Sequence, residues 1–251
     1  MSSVHKSRRR ETAEQDASER LKEQLGRSVA ERLVRSGMKL GLGTGSTAVW
    51  AIRRIGELLA EGAVSDIAAV ATSSQSEVEA YAAGIPLRYL NDPLFADGLD
   101  LAIDGADEVD AHGNLTKGGG GALLLEKIVA YASKRVAIAV LQDKLVDHLG
   151  LRFPIPVEVV PAARAQVLRA LKALGCAVTL RPAVNKMGAV ITDNGNILLD
   201  IALPAPTDIA AFERELNTIP GVVENGIFSR LQAEIWYITP DGEIRQFEPR
   251  R

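Results

Sequence analysis

Three short segments concentrate the residue types that hold anions and move protons: GTGST (Gly43 to Thr47), DGADE (Asp104 to Glu108) and KGGGG (Lys117 to Gly121). In GTGST the glycines let the backbone approach an anion, and Thr44, Ser46 and Thr47 add hydroxyl donors just ahead of an apolar, helix-like run. A helix starting there aims free N–H groups and the positive end of its dipole at a ligand, which suits a phosphate. A tight strand-to-helix turn with no ligand uses the same residues. Gly43-x-Gly45-x-x-Ala48 also meets a loose dinucleotide fingerprint, but Thr72-Ser73-Ser74 stands where the ribose-binding acid would follow the next strand. The segment lacks the Gly-Lys-Ser/Thr of a P-loop and the GxSxG of a nucleophile elbow.

DGADE sets Asp104 and Asp107 close together at the end of an apolar run. Loop and capping carboxylates look the same, while two acids on one pocket would perturb each other's pKa and hold sugar hydroxyls or move protons. Gly118 to Gly121 let the backbone fold tightly and point N–H groups at a ligand. Lys117 beside them supplies positive charge for an oxygen that turns negative during a reaction. In the helix that follows, Ala122, Glu126, Val129 and Ala130 share one stripe, so Glu126 faces inward and Lys127 outward. Partial burial among small apolar side chains raises a glutamate pKa from about 4.3 towards that of a useful general base.

These segments need elements to position them. Ala17, Leu21, Leu25, Val29 and Leu33 have helical spacing, ending near Gly37. A strand from Met38 runs into GTGST and a second helix; Ile67–Thr72 reads as a buried strand and Gln75–Ala83 as a helix. Leu101–Ile103 is a third strand, about Gly121–Ser133 a helix and Arg135–Leu141 a fourth strand. That alternation predicts a parallel sheet covered on both faces, with the three segments at strand carboxyl ends, where such sheets bind ligands. After Gly150, FPIPVEVVP suits an edge strand or linker because of its prolines. Helices over Ala163–Leu174 and Asp208–Asn217, the strand CAVTLRP and a hairpin of two short strands around Asp193–Asn196 give an α+β insertion; a last strand pair turns at Asp241-Gly242.

The chain has 251 residues, is 47% hydrophobic and carries a net charge of -3, a globular composition with ample length for a buried core. Mild acidity argues against binding a nucleic-acid backbone. Cys176 is the single cysteine, so no intramolecular disulfide or CxxC zinc site forms, which fits a reducing cytoplasm. His5, His112 and His148 are too scattered to suggest a local metal cluster. The N-terminus has a basic run but no apolar signal core, and no stretch approaches the roughly 20 apolar residues of a membrane span. Residues 1–16 read as a disordered polar tail.

In order along the chain, GLGTGSTA, LAIDGADEVD, KGGGGALLLEKIVA, FPIPVEVVP, TDNGNILLD and GVVENGIF closely resemble type A ribose-5-phosphate isomerase, from about Leu21 to the C-terminus. The resemblance implies an α/β fold: a Rossmann-like parallel-sheet catalytic domain (residues 17–150 plus about 226–251) and a smaller inserted α+β, ferredoxin-like domain (about 151–225). It implies reversible aldose–ketose isomerisation of D-ribose 5-phosphate to D-ribulose 5-phosphate through an enediolate, in the non-oxidative pentose phosphate pathway. No metal or organic cofactor, no nucleic acid and no membrane partner is expected; a cytoplasmic homodimer or homotetramer is. Carried over by position, Glu126 is the base, with Asp104, Asp107 and Lys117 also catalytic and Asp104 assigned to ring opening and hydroxyl positioning. Substrate contacts fall on Thr44, Gly45, Ser46, Thr47, Asp104, Gly105, Ala106, Asp107, Lys117, Gly118, Gly119, Gly120 and Lys144, with Lys22 a further phosphate contact. Leu124-Leu125 depart from the family's more polar pattern before the base. The competing reading is a non-enzymatic phosphosugar-sensing domain, which keeps the anion loop but needs no base. The N-terminal stretch is too short for the DNA-binding unit that such a regulator carries.

Overall fold

The structure, a computed structural model, describes residues 2–204 and 207–250. The chain runs α1 (Ser2–Leu33), β1 (Lys39–Leu42), α2 (Ala48–Ala60), β2 (Ala68–Ala71), α3 (Ser74–Ala82) and β3 (Leu101–Asp104). Two two-residue strands, β4 (Glu108–Val109) and β5 (Leu115–Thr116), lead to α4 (Leu123–Tyr131) and β6 (Val136–Leu141). Then come β7 (Ile155–Val159), α5 (Arg164–Ala173), β8 (Ala177–Leu180), β9 (Ile197–Ala202), α6 (Ile209–Leu216) and β10 (Val222–Asn225). The chain closes with β11 (Ile227–Phe228), β12 (Glu234–Ile238) and β13 (Ile244–Gln246).

Strand alternation builds the main sheet, ordered β13-β12-β6-β3-β1-β2, parallel throughout except for β13 on its edge. Leu40, Leu42, Leu101, Ile103, Ala137 and Ala139 pack with Leu25 and Val29 of α1 and Ile52 and Ile55 of α2. One residue out of phase, Val70, Ala102, Val136, Ile138 and Val140 pack with Val129 and Ala130 of α4. A period of two sends successive side chains to opposite faces, so both faces are buried and the strands are apolar almost throughout. No helix among the described residues is long and apolar enough to cross a membrane.

The insertion forms a four-stranded antiparallel sheet, β10-β7-β9-β8, in β-α-β-β-α-β order. Here β7 is not the expected edge strand or linker but an interior strand, buried along its whole length. Its prolines allow this because only Pro156 lies within it. The Pro156 carbonyl accepts from Gly226 N–H (2.7 Å), just past the last β10 partner, so the missing N–H falls where that ladder is ending. The expected hairpin at Asp193–Asn196 keeps its turn, but its first strand is reduced to one bridge, Ile191 to Ile197.

Three further points depart from the sequence reading. α1 is helical from Ser2, where residues 1–16 read as a disordered tail; Arg, Glu, Gln and Ala there are good helix formers, and Glu14 to Ala17 are exposed. A third sheet, β11-β5-β4, had no signal in two-residue runs. Lys127 is buried rather than outward: its Nζ lies 2.8 Å from Glu224 Oε1 and 3.1 Å from Glu213 Oε1, and donates to Ile227 O at 2.7 Å.

Candidate active site

The three chemistry-bearing segments meet at a cavity of about 300 Å³ at the carboxyl ends of the parallel strands. Thr44 to Thr47, Gly105 to Asp107, Lys117 to Gly120, Glu126 and Lys144 line it, and so does Lys22 of α1. Of the residues expected at the site, only Asp104 lies outside this wall, one layer behind at the end of β3. Its Oδ1 accepts from the N–H of Thr44 (3.0 Å) and of Gly105 (2.7 Å), and its Oδ2 is 2.9 Å from Lys117 Nζ. Glycine at position 43 makes this packing achievable, since a Cβ there would sit 2.2 Å from Asp104 Oδ1. Asp104 therefore ties the anion turn, its own loop and the lysine together.

Lys117 leaves the short β5, its N–H held by Gly226 O at 2.9 Å, and its Nζ reaches Gly105 O at 2.6 Å and Glu126 Oε1 at 3.4 Å. Burial works against the ammonium charge, but Asp104 and Glu126 outweigh it and hold the pKa above its ordinary value. Glu126 sits on the buried stripe of α4, and its Oε2 has no hydrogen-bond partner. Burial, opposed by Lys117 and reinforced by the charges of Asp104 and Asp107, pushes its carboxyl up to about 8. One lysine is shared among the acids, Asp104 has two further donors, and Glu126 is the one left to keep a proton.

At the start of α2, Thr44 lines the cavity but commits its hydroxyl to Thr72 (2.8 Å) and Ser73 (2.6 Å), and Gly45 N–H donates to Gln75 Oε1 (3.0 Å). The Thr72-Ser73-Ser74 segment that fails as a ribose-binding acid thus braces the anion turn. Ser46 and Thr47 have no such partner for their N–H groups or hydroxyls among the described residues, which leaves them for a ligand at the helix N-terminus. Gly45 has φ 107, a conformation that only glycine adopts without strain. Lys144, on the turn after β6, and Lys22, paired with Glu19 at 2.6 Å, bring two more ammonium groups to the wall.

The glycine loop is held from two sides. Asp107 Oδ2 accepts Gly119 N–H at 2.7 Å, and Gly121 N–H closes a turn on Gly118 O at 2.9 Å. Arg181, past the end of β8, donates to Gly118 O and Gly119 O at 3.0 Å each. Arg181, Gln75 and Ser18 are not legible from sequence, because each reaches the site only through the packing of distant elements. Glu108, the last acid of DGADE, is fully buried and accepts the N–H groups of Gly150, Arg152 and Phe153, anchoring the passage into the inserted sheet. Among the described residues no group of three or more His, Cys, Asp or Glu side chains is placed to hold a metal ion.

Fold and site together define an α/β protein with a cavity lined by hydroxyl, ammonium and glycine N–H groups over a buried acid–lysine centre, a setting that suits an anionic small molecule. A family model described as ribose 5-phosphate isomerase A (phosphoriboisomerase A) matches residues 68–242. Ribose-5-phosphate isomerase A of Treponema denticola is 46% identical over 217 residues, covering 86% of this chain and 91% of that protein. The Thermosynechococcus vestitus protein of the same name is 49% identical over 213 residues, 85% of this chain and 89% of its own. Among solved structures, ribose 5-phosphate isomerase A of Methanocaldococcus jannaschii superposes with a TM-score of 0.84 at 38% identity, covering 92% of this chain and 99% of that one. A D-ribose-5-phosphate isomerase in complex with phospho-erythronic acid gives a TM-score of 0.86 at 40% identity, covering 90% and 97%. The chain belongs to the ribose 5-phosphate isomerase A family and is an aldose–ketose isomerase. A phosphosugar sensor, which would need no base, is thereby set aside.

Proposed function

We propose that the cavity binds D-ribose 5-phosphate and interconverts it with D-ribulose 5-phosphate, with Glu126 carrying the proton. The observation that carries this reading is the Glu126 carboxyl: buried, with an unpartnered oxygen, on the cavity wall and 3.4 Å from Lys117 Nζ. The base takes the C2 proton of the open-chain aldose and returns it to C1, and a single carboxylate reaches both because the two carbons are adjacent. Lys117 stabilises the enediolate oxygen; losing such a donor costs about 3–4 kcal/mol of transition-state stabilisation. The phosphate goes to Ser46 and Thr47 at the start of α2, with Lys22 and Lys144. Asp107, the member of the acid pair on the wall, opens the ring and orients hydroxyls; Asp104 acts through Lys117. Phospho-erythronic acid, bound by the solved relative, supports the same site chemistry, since its carboxylate offers two oxygens much as an enediolate does.

We also infer a catalytic domain of residues 17–150 and 226–251 with a small domain over 151–225, in a cytoplasmic homodimer or homotetramer. Exposed Val160, Val184, Met187 and Ile191, on segments flanking the inserted strands, make this region the favoured subunit contact; light scattering of the purified protein measures the oligomer size. The decisive experiment for the reaction is phosphopentose isomerisation by EDTA-treated wild type beside Glu126→Gln. The variant is expected to keep its fold and ligand binding and lose about 10²–10⁴-fold in kcat. Turnover near that of the wild type would remove Glu126 from the role of base.

A further inference from the structure

The glycine loop takes its shape from a residue outside the catalytic sheet. Arg181 follows β8 in the inserted sheet, and its side chain is mostly buried. Its Nε and Nη2 grip Asp200 of β9 at 2.9 and 2.5 Å, a two-pronged pairing that fixes the plane of the guanidinium. The remaining Nη1 donates to two successive carbonyls, Gly118 O and Gly119 O, at 3.0 Å each.

Peptide planarity turns that grip into an orientation. In a trans peptide the carbonyl of one residue and the N–H of the next point in opposite directions. With Gly118 O drawn to Arg181, the Gly119 N–H points away from it and meets Asp107 Oδ2 at 2.7 Å. With Gly119 O drawn to the same guanidinium, the Gly120 N–H also points away from Arg181. That N–H has no partner among the described residues, and Gly120 lines the cavity while Arg181 does not. Four glycines in a row have no side chains to hold these planes, so an outside group has to.

We propose that Arg181, locked by Asp200, is a positioning residue for the isomerisation: it sets the peptide planes of Gly118 to Gly120 so that the Gly120 N–H is presented to the oxygen that becomes negative in the enediolate. Arg181 touches neither substrate nor reacting atoms. The inference deepens the isomerase reading and rests on it.

The test compares Arg181→Ala, Arg181→Lys and Asp200→Asn with the wild type in steady-state kinetics, and measures phospho-erythronic acid binding by calorimetry. A donor that works in the transition state appears in kcat, and displacement of such a group by about 1 Å costs up to about 100-fold. Arg181→Ala is expected to lose about 10- to 100-fold in kcat with KM for ribose 5-phosphate within about 3-fold, and phospho-erythronic acid affinity to fall with kcat/KM. Arg181→Lys keeps a charge but not the fork, so it restores part of kcat. Asp200→Asn shows the same kcat-only pattern more weakly. A lowered Tm with kcat unchanged, or a raised KM with kcat unchanged, would overturn the proposal, because either is what a purely structural arginine gives. If Arg181→Ala fails to fold, the other two variants decide by the same criteria. An inactive wild type would instead overturn the isomerase reading, and the positioning role that rests on it would fall with it.

Discussion

Glu126 has one carboxylate oxygen without a partner and shares Lys117 with Asp104. A base with its pKa pushed up to about 8 is mostly protonated at neutral pH, while Lys117, held above its ordinary value, stays charged. In the free enzyme kcat/KM is therefore expected to climb with pH along a limb centred near 8 and level off above it; a limb near 4.5 would mean that water reaches the carboxylate. The same shift sets the pH dependence of stability. An unfolded glutamate titrates at about 4.3 and the folded one near 8, so between these values the native state binds more protons. Wild-type stability then falls as pH rises through that window, with no penalty from this group below it. Glu126→Gln does not titrate, and at pH 9 it should be more stable than wild type by about 1–3 kcal/mol, the cost of an unsatisfied buried group. Thermal melts of both proteins at pH 5 and pH 9 measure this. A variant that is instead less stable at pH 9 would show the ion pair with Lys117 to outweigh burial.

Among the elements, α4 shows both the reach and the limit of sequence periodicity. Its stripe of Ala122, Glu126, Val129 and Ala130 placed Glu126 inward, and each of these is buried. The same stripe sent Lys127 outward. That failed because α4 is wedged between the main sheet and the inserted one, so a second face is covered and its lysine meets Glu213, Glu224 and the Phe228 ring, 4.7 Å from its centroid. Periodicity reports one apolar face and is blind to a polar face buried by pairing. The parallel strands β1, β2, β3 and β6 were legible for the opposite reason, being nearly continuous apolar runs between polar or glycine-bearing segments, and so were the three loops at their ends. β4 and β5 were not, since two residues carry no period, nor was Arg181, whose partners lie some sixty residues back along the chain. Lys127→Met should cost about 3–5 kcal/mol, because it leaves the buried Glu213 and the partly buried Glu224 without their cation. Urea unfolding midpoints would show it, and a loss below 1 kcal/mol would mean that water or rearrangement resolvates the pair.

Across the whole molecule, the groups proposed to hold the phosphate come to the cavity wall from parts that lie far apart in sequence: Lys22 on α1, Ser46 and Thr47 at the start of α2, and Lys144 after β6. The net charge of -3 gives no general pull on an anion, so attraction has to be local. A phosphate does not react, and groups that hold it bind substrate and transition state alike. Lys22→Gln and Lys144→Gln are thus each expected to raise KM by about 10-fold or more, the worth of a hydrogen bond to a charged group, with kcat nearly unchanged. Steady-state kinetics separates this from the Glu126→Gln pattern, in which kcat falls. On this proposal the same ligand ties α1 to the sheet, and saturating ribose 5-phosphate at about 100 times Kd should stabilise the fold by about 2.7 kcal/mol. Amide exchange should slow in α1 around Lys22 as it does in the anion turn. In Lys22→Gln the protection should vanish from α1 but persist at Ser46 and Thr47. If α1 exchanged at the same rate with and without ligand in the wild type, Lys22 would be a neighbour of the site and no part of it.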